Sequence, residues 1–197
     1  MDLSNFKIQI RKITDFSKEE CEMFIPYLKK KVLKKGDYFL REGQRVNEIA
    51  FVEKGVLRFF YLSDGKEINN HFFLENDYAV SYLDFLKGTR SRYYIQALEA
   101  CELYTFNSSG LQTAYDQSKN WERFGRIIAE SAYATSTNRF ESFLFLSAKE
   151  RYLQMQKDHP QFLQRIPLYH LASYLGIERE SLSRIRKELL SELSIVT

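Results

Sequence analysis

The sequence is poor in the residues that bind metals and form disulfides. Its 197 residues include two cysteines, Cys21 and Cys101, which are far apart and belong to no motif. An iron–sulfur cluster needs about four cysteine ligands, so an iron–sulfur sensor is excluded. We expect no disulfide, because the chain is expected to act in a reducing, intracellular setting.

Histidine is equally scarce, with one residue in the β-rich region, His71, and two further along, His159 and His170. A cupin-like metalloenzyme would need two or three histidines and a carboxylate converging from neighbouring strands. One histidine flanked by two phenylalanines is more often a hydrogen-bonded interior residue than a haem ligand. We therefore expect no metal, no cofactor and no enzymatic activity.

Long apolar runs are also missing. The chain begins MDLSNFKIQIRK, which has no continuous apolar stretch. This predicts neither a signal peptide nor a membrane span, and hence a cytoplasmic protein. The net charge of +3 and the pI of about 8.7 are compatible with a polyanionic partner but do not identify one.

Proline is rare, with three residues in the whole chain. The segment from Asn120 to Ser147 contains none and only one glycine, which predicts a helix about 40 Å long. A helix of this length needs a surface that buries its apolar side chains. That surface is a second copy of the helix, the β-rich region, or both.

Aromatic and β-branched residues are abundant between Val32 and Phe106. They form short runs separated by turn residues, which favours an antiparallel barrel or jelly roll. The strongest hairpin signal is Asp64-Gly65, because both central positions of a tight hairpin turn favour positive φ. The predicted strands are Tyr38–Leu40, Ile49–Val52, Val56–Leu62, Ile68–Phe73, Tyr93–Leu98 and Leu103–Phe106. A helix precedes them, from about Ser17 to Leu28, and ends near the basic run Lys29-Lys30-Lys31.

The most specific pattern is LYHLASYLGIERESLSRIRK, residues Leu168 to Lys187. Apolar residues recur at the spacing of a buried helix face on both sides of Gly176, which can end one helix and turn the chain into the next. Ala172 is small where two crossing helices approach closely. The pattern predicts a DNA-reading helix-turn-helix, the alternative being an ordinary helical hairpin.

This order of a β-roll, a long helix and a helix-turn-helix resembles the Crp/Fnr family of transcription regulators. The motifs that carry the resemblance are KKGDYFLREGQ, FVEKGVLRFFY and LASYLGIERESLSRIRKEL, the last of which is similar to the branch common in Bacteroidetes. The resemblance implies an α+β fold with an antiparallel β-roll or jelly roll and flanking helices, a long dimerisation helix and a C-terminal helix-turn-helix. The corresponding parts are a sensor domain over residues 1–116, the dimerisation helix over 117–147 and the DNA-binding domain over 148–197.

The resemblance also implies which residues read DNA. Family members use an Arg-Glu pair early in the second helix and an arginine one turn later, which match Arg179, Glu180 and Arg184. Arginine can donate two hydrogen bonds to guanine, and glutamate can accept one from cytosine. The partners implied are double-stranded DNA with an inverted-repeat operator, a second copy of the chain, and RNA polymerase. Residues expected to contact the DNA backbone are Ser181, Ser183, Arg186, Lys187 and His170, although solvent exposure is the simpler expectation for His170.

The sensor end departs from the family pattern. Where a cyclic-nucleotide pocket has a glutamate, an arginine and a small residue, this chain has Ser81, Ser91 and Tyr93. Because a cyclic phosphate needs a charged partner, we expect no response to cyclic AMP or GMP. Arg90 or Arg92 could replace the missing arginine only if the loop shifted. Any other effector would use Ser81, Tyr82, Arg90, Ser91, Arg92 and Tyr93, although aromatic side chains here are more simply explained as core and subunit contacts.

Two alternatives to a transcription regulator remain open. One is the cupin-like metalloenzyme, and the other is a ligand-binding module whose reading head no longer functions. The family often adds a β-hairpin wing after the reading helix, and the residues after Glu188, LLSELSIVT, are too few for one. A head without a wing should contact fewer phosphates and depend less on salt concentration.

Overall fold

The computed structural model describes residues 2–196, and the side chains of residues 2–191. The described chain forms two compact units. The first runs to Phe59 and continues from Phe72 to Thr135. The second contains the segment Phe60–His71 and the chain from Ser136 onward.

In the described part of the chain, eight strands form two four-stranded sheets, which confirms the predicted β-roll. The sheet orders are β1-β8-β3-β6 and β2-β7-β4-β5, and the pairs β1–β8, β3–β8, β3–β6 and β2–β7 are antiparallel. The strands are β1 (Lys29–Leu33), β2 (Tyr38–Leu40), β3 (Glu48–Lys54), β4 (Leu57–Ser63), β5 (Lys66–Phe73), β6 (Tyr78–Ala79), β7 (Tyr94–Ala97) and β8 (Cys101–Asn107).

The hairpin between β4 and β5 turns at Asp64 and Gly65, as predicted. Their φ angles are +50° and +76°. Two consecutive residues with positive φ are the mark of a type I′ turn, whose twist matches that of the flanking strands. The tip of this hairpin belongs to the second unit.

The helices include the long one predicted from the proline-free segment. They are α1 (Ser4–Ile13), α2 (Lys18–Phe24), α3 (Tyr82–Lys87), α4 (Ser108–Gln117), α5 (Lys119–Phe145), α6 (Ala148–Asp158), α7 (Phe162–Arg165), α8 (Leu168–Leu175) and α9 (Arg179–Val196), with a 3₁₀ turn at Ile25–Tyr27. The sequence predicted α2, α5, α8 and α9 but not α1, α3, α4 or α7. None of the helices in the described part of the chain combines the length and the apolar character needed to cross a bilayer.

The core of the first unit joins the start of α5 to the β-roll. Trp121 is fully buried, and its ring lies 4.2 Å from that of Phe24 and 4.6 Å from that of Phe16. Its indole N–H donates a hydrogen bond of 3.0 Å to the carbonyl of Glu20. Phe124, one turn later, contacts Tyr78 of β6 with ring centres 5.6 Å apart. The first turns of α5 are thus fixed by aromatic packing.

Candidate nucleic-acid interface

The turn between α8 and α9 is built on Gly176. Its backbone has φ +67° and ψ +35°, the left-handed conformation that glycine adopts without strain. The N–H of Gly176 donates to the carbonyl of Ser173 at 3.1 Å, and that of Ile177 donates to the carbonyl of Ala172 at 3.0 Å. These bonds close α8 and direct the chain into α9, as the sequence predicted.

The buried face of the two helices is also the predicted one. Leu171, Ala172 and Leu175 of α8 are each at most 2% exposed. On α9, Leu182 is fully buried and Ile185 is 9% exposed. The small side chain of Ala172 is thus on the buried face of α8, and α8 contacts α9.

The opposite face of α9 carries the predicted base-reading residues. Arg179, Glu180 and Arg184 are exposed in its first two turns. Residues 180 and 184 share one face of the helix because they are four positions apart, and Arg179 flanks it. Among the residues expected to contact the backbone, Ser183, Arg186 and Lys187 are exposed and Ser181 is half-buried. The helix thus presents two guanidinium groups beside one carboxylate.

His170 is a correction. The expectation of an exposed ring is wrong, because His170 is only 5% exposed. Its Nδ1 lies 3.2 Å from Nδ2 of Asn69, in strand β5. A ring enclosed in this way is poorly placed to reach a phosphate.

The end of the β4–β5 hairpin is hydrogen-bonded to α8 around Ser173. The N–H of Asn69 donates to Oγ of Ser173 at 2.9 Å, and that hydroxyl donates to the carbonyl of Glu67 at 2.9 Å. Further toward the hairpin tip, Nζ of Lys66 lies 3.9 Å from Oε1 of Glu178, the residue before α9. The hairpin therefore reaches the start of α9.

Arg139 of α5 holds the same elements together. Its Nη2 donates to the carbonyls of Asn69 at 3.0 Å and Tyr174 at 2.9 Å, and its Nε donates to Oδ1 of Asn70 at 3.0 Å. The guanidinium also lies over the Tyr174 ring, 4.1 Å from its centre. Burial lowers the pKa of Arg139, but an arginine remains charged at neutral pH.

A second arginine satisfies the end of α8. Nε of Arg151 donates to the carbonyl of Leu175 at 3.1 Å. Arg139 and Arg151 both lie over the ring of Phe143, at 5.0 Å and 4.7 Å. The same ring packs against Gly176, where an added Cβ would lie 2.6 Å from a Phe143 carbon. Free carbonyls at a helix end need such donors when water cannot reach them.

Sequence reasoning missed Asn69, Ser173 and Arg139. The hydrogen bonds that give them their roles join pairs separated by 35 to 106 positions in the sequence. No local pattern signals such pairs, because each residue type is ordinary for its own strand or helix.

The serines at the predicted effector site are used within the β-roll. Ser81 and Ser91 are each 3% exposed. The Ser81 hydroxyl donates to Oδ2 of Asp84 at 2.7 Å, and that of Thr89 donates to Oδ1 of the same carboxylate at 3.0 Å. Oγ of Ser91 accepts from the N–H of Tyr93 at 2.9 Å. A carboxylate thus stands beside Ser81, the position where the family pattern has its glutamate, and it also bonds Thr89, two residues before the arginine position at Ser91.

The other predicted effector residues are either exposed or packed against neighbouring residues of the β-roll. Arg90 is exposed and donates from Nη1 to the carbonyl of Gly43 at 2.7 Å. Arg92 is also exposed. Tyr82 is half-buried, and burial raises the pKa of its hydroxyl. The ring of Tyr93 stacks on that of Phe59 with centres 4.4 Å apart. These contacts agree with the simpler interpretation that the aromatic residues pack the core.

His71 lies near His159 and Arg139. Desolvation, with smaller electrostatic contributions from His159 and Arg139, lowers the pKa of His71 to about 4. The imidazole is therefore neutral at physiological pH. Within the described residues, no group of three or more His, Cys, Asp or Glu side chains could hold a metal ion.

Comparison with known proteins gives one family match and several similar structures. Residues 30–118 match the cyclic nucleotide-binding domain. FixK2 from Bradyrhizobium japonicum is 18% identical with a TM-score of 0.70, over 84% of this chain and 85% of that one. A CooA mutant from Carboxydothermus hydrogenoformans is 15% identical with a TM-score of 0.71, over 94% and 84%. None of the curated proteins matches.

A third structure carries the family name. It is assigned as a transcriptional regulator of the crp/fnr family from Eubacterium rectale, and it is 16% identical with a TM-score of 0.68 over 90% of this chain and 85% of that one. At such identities the likeness establishes the fold. The chain therefore has the fold of the Crp/Fnr regulators, while the narrower resemblance to the Bacteroidetes branch remains a prediction.

Proposed function

We propose that this chain, whose fold is that of the Crp/Fnr regulators, is a homodimeric, sequence-specific DNA-binding transcription regulator that acts in the cytoplasm. The observation that carries the proposal is the division of α9 into a buried apolar face and an exposed face with Arg179, Glu180 and Arg184. Proteins with this fold include chains described as transcriptional regulators. A role for RNA polymerase as a further partner follows from the resemblance alone.

In this proposal Arg179, Glu180 and Arg184 contact base edges in the major groove. The arginines suit guanine, and the glutamate suits the amino group of cytosine. Ser181, Ser183, Arg186 and Lys187 contact phosphates and set affinity without sequence choice. His170 is left out, because its ring is buried against the hairpin.

The test is the base preference of the Arg184→Ala variant. Duplexes selected from a random pool by the wild-type protein define its operator. On that operator, Arg184→Ala should cost about 1–3 kcal/mol and relax preference at one base pair in each half-site. Arg123→Ala removes an equally exposed arginine from α5 and is the control. Unchanged affinity and preference in Arg184→Ala would refute the assignment of the reading head.

The dimer is proposed to form along α5. Tyr133, Phe140 and Leu144 are 74%, 64% and 59% exposed, and their spacing of seven and four places them on one stripe of the helix. Burial of such an apolar stripe against the same stripe of a second copy is favourable, because it removes apolar surface from water. Two reading helices related by a twofold axis would enter major grooves about 34 Å apart, which suits an inverted-repeat operator.

We further propose that cyclic AMP and GMP are not effectors. Neither Ser81 nor Ser91 can supply the positive charge that a cyclic phosphate needs. The Asp84 carboxylate, held by the hydroxyls of Ser81 and Thr89, would repel an anion brought to this loop.

A further inference from the structure

The tip of the β4–β5 hairpin lies beside the start of the reading helix. Nζ of Lys66 is 3.9 Å from the carboxylate of Glu178, and Glu178 immediately precedes Arg179. In a helix-turn-helix, the N-terminal residues of the second helix are those that approach the DNA. A residue this close to that end is therefore near the DNA surface, although it belongs to a strand of the β-roll.

The hairpin is held in this position by hydrogen bonds to side chains of α8 and α5. Ser173 bonds the N–H of Asn69 and the carbonyl of Glu67, each at 2.9 Å, and Arg139 bonds the carbonyl of Asn69 at 3.0 Å. Lys66 adjoins this anchored segment. The backbone at Lys66 is therefore held next to α9, and its ammonium group lies within 3.9 Å of the Glu178 carboxylate.

The ion pair between Lys66 and Glu178 is too exposed to hold the lysine. The two side chains are 77% and 82% exposed. Ion pairs at such exposure contribute little, because water and salt screen them and both side chains lose freedom. Lys66 can therefore exchange the carboxylate for another anion at small cost.

We propose that the hairpin tip is part of the DNA-binding surface and that Lys66 contacts a backbone phosphate next to the reading helix. The inference rests on the proposed function. Lys66 also offsets the negative charge of Glu178, which would otherwise face the DNA backbone. The contact carries no base preference, since a lysine on a phosphate adds affinity only.

The experiment measures the salt dependence of binding to a labelled duplex of random sequence. Binding to such a probe depends on phosphate contacts, and each lost contact reduces the slope of log K against log salt concentration by about 0.9. Lys66→Ala should show this reduction. The ratio of the wild-type association constant to that of Lys66→Ala should therefore fall about 3.5-fold when the salt concentration is raised fourfold. Lys66→Arg should keep the wild-type slope.

Lys87→Ala is the matched control, since it removes one exposed positive charge from α3 in the first unit. Its slope should equal that of the wild type. The unfolding curve of Lys66→Ala should also match that of the wild type, because the side chain is exposed.

Glu178→Gln separates a phosphate contact from simple charge compensation. If Lys66 contacts phosphate, Lys66→Ala reduces the slope in the Glu178→Gln background as well. No effect in that background would overturn the inference, as would tighter binding by Lys66→Ala, which would mean that the hairpin obstructs DNA. A wild-type protein that binds no duplex at all would refute the proposed function itself.

Discussion

At the residue scale, Arg139 joins three segments through one guanidinium group. It bonds two residues of β5 and the end of α8. Arg139→Ala would leave the carbonyls of Asn69 and Tyr174, which are partly buried, without these donors. Because each unsatisfied buried group costs about 1–3 kcal/mol, we expect a loss of about 3 kcal/mol in the free energy of unfolding.

Urea unfolding of matched variants checks this expectation. Arg126→Ala removes an exposed arginine from the same helix, where it pairs with Glu130 at 2.6 Å, and should change stability by less than about 0.5 kcal/mol. Arg139→Lys keeps the charge but not the planar set of donors, so it should rescue stability only in part. Equal effects of Arg139→Ala and Arg126→Ala would show that the three hydrogen bonds contribute nothing.

His71 makes stability depend on pH. Its pKa is lowered to about 4 in the folded protein and returns to about 6.5 on unfolding. Between these values the unfolded chain binds more protons, so the free energy of unfolding falls as the pH drops from 6.5 toward 4. The loss amounts to about 3 kcal/mol.

The His71→Gln variant isolates this effect. Asp77, whose pKa burial raises to about 6, acts in the opposite direction but is present in both proteins. As the pH falls from 7 to 4.5, the wild type should therefore lose stability relative to His71→Gln, as measured by the difference between their free energies of unfolding. A difference that is constant over this range would contradict the neutral, desolvated imidazole.

At the scale of elements, the closure of α8 depends on the absence of a side chain at Gly176. Gly88 ends α3 in the same left-handed conformation, with φ +61° and nothing within 4 Å of an added Cβ. Gly88→Ala should therefore cost only the backbone strain, about 1–2 kcal/mol. Gly176→Ala should cost about 1–3 kcal/mol more, because its Cβ would meet Phe143 at 2.6 Å.

Thermal or urea unfolding of both alanine variants measures the difference. In a Phe143→Ala background the extra cost of Gly176→Ala should disappear, leaving the strain common to both sites. If the two glycine variants are equally stable in the wild-type background, the contact between Phe143 and the turn is not restrictive.

The elements that the sequence predicted are those whose signals are local. Gly176 and the apolar spacing around it indicated α8 and α9, and Asp64-Gly65 indicated the hairpin. Two missed elements carry misleading patterns. The sequence of α1, SNFKIQIRKI, alternates like a strand, although the buried residues Phe6 and Ile10 are four apart, as in a helix.

Strand β1 was hidden by its charge. It reads KKKVL, which looks like a solvated basic run. Two of its three lysines are paired with carboxylates of other strands, Lys30 with Glu102 and Lys31 with Glu48 at 3.3 Å. Cross-strand pairing of opposite charges stabilises such a strand, but the partners are known only once the register is known.

The candidate site shows the same division. The exposed residues of α9 followed from helical spacing within one segment. The environment of His170 could not be predicted, because Asn69 lies 101 positions away and shares no pattern with it. A polar histidine is expected to be exposed when only the sequence is known, and burial by another element reverses that expectation.

At the scale of the whole molecule, we propose that the β-roll binds an effector other than a cyclic nucleotide, or no effector. Adding cyclic AMP or GMP should therefore leave DNA affinity unchanged, because Ser81 and Ser91 offer no positive charge. Titration calorimetry and DNA-binding curves with and without the nucleotide measure this. A tenfold gain in DNA affinity would mean that Arg90 or Arg92 has moved to the phosphate.

The final prediction concerns assembly of two chains along α5. Phe140→Glu should convert the proposed dimer into monomers, because a twofold axis along this stripe would bring two carboxylates together in an apolar interface. Phe145→Glu makes the same change about 140° around the helix from Phe140, at a residue that is 75% exposed, and should leave the proposed dimer intact. Sedimentation equilibrium measures the mass of each variant. The monomeric variant should also bind the operator more weakly, since it engages one half-site, while its unfolding curve shows that the fold is retained. Dissociation of neither variant would place the dimer interface elsewhere on the chain.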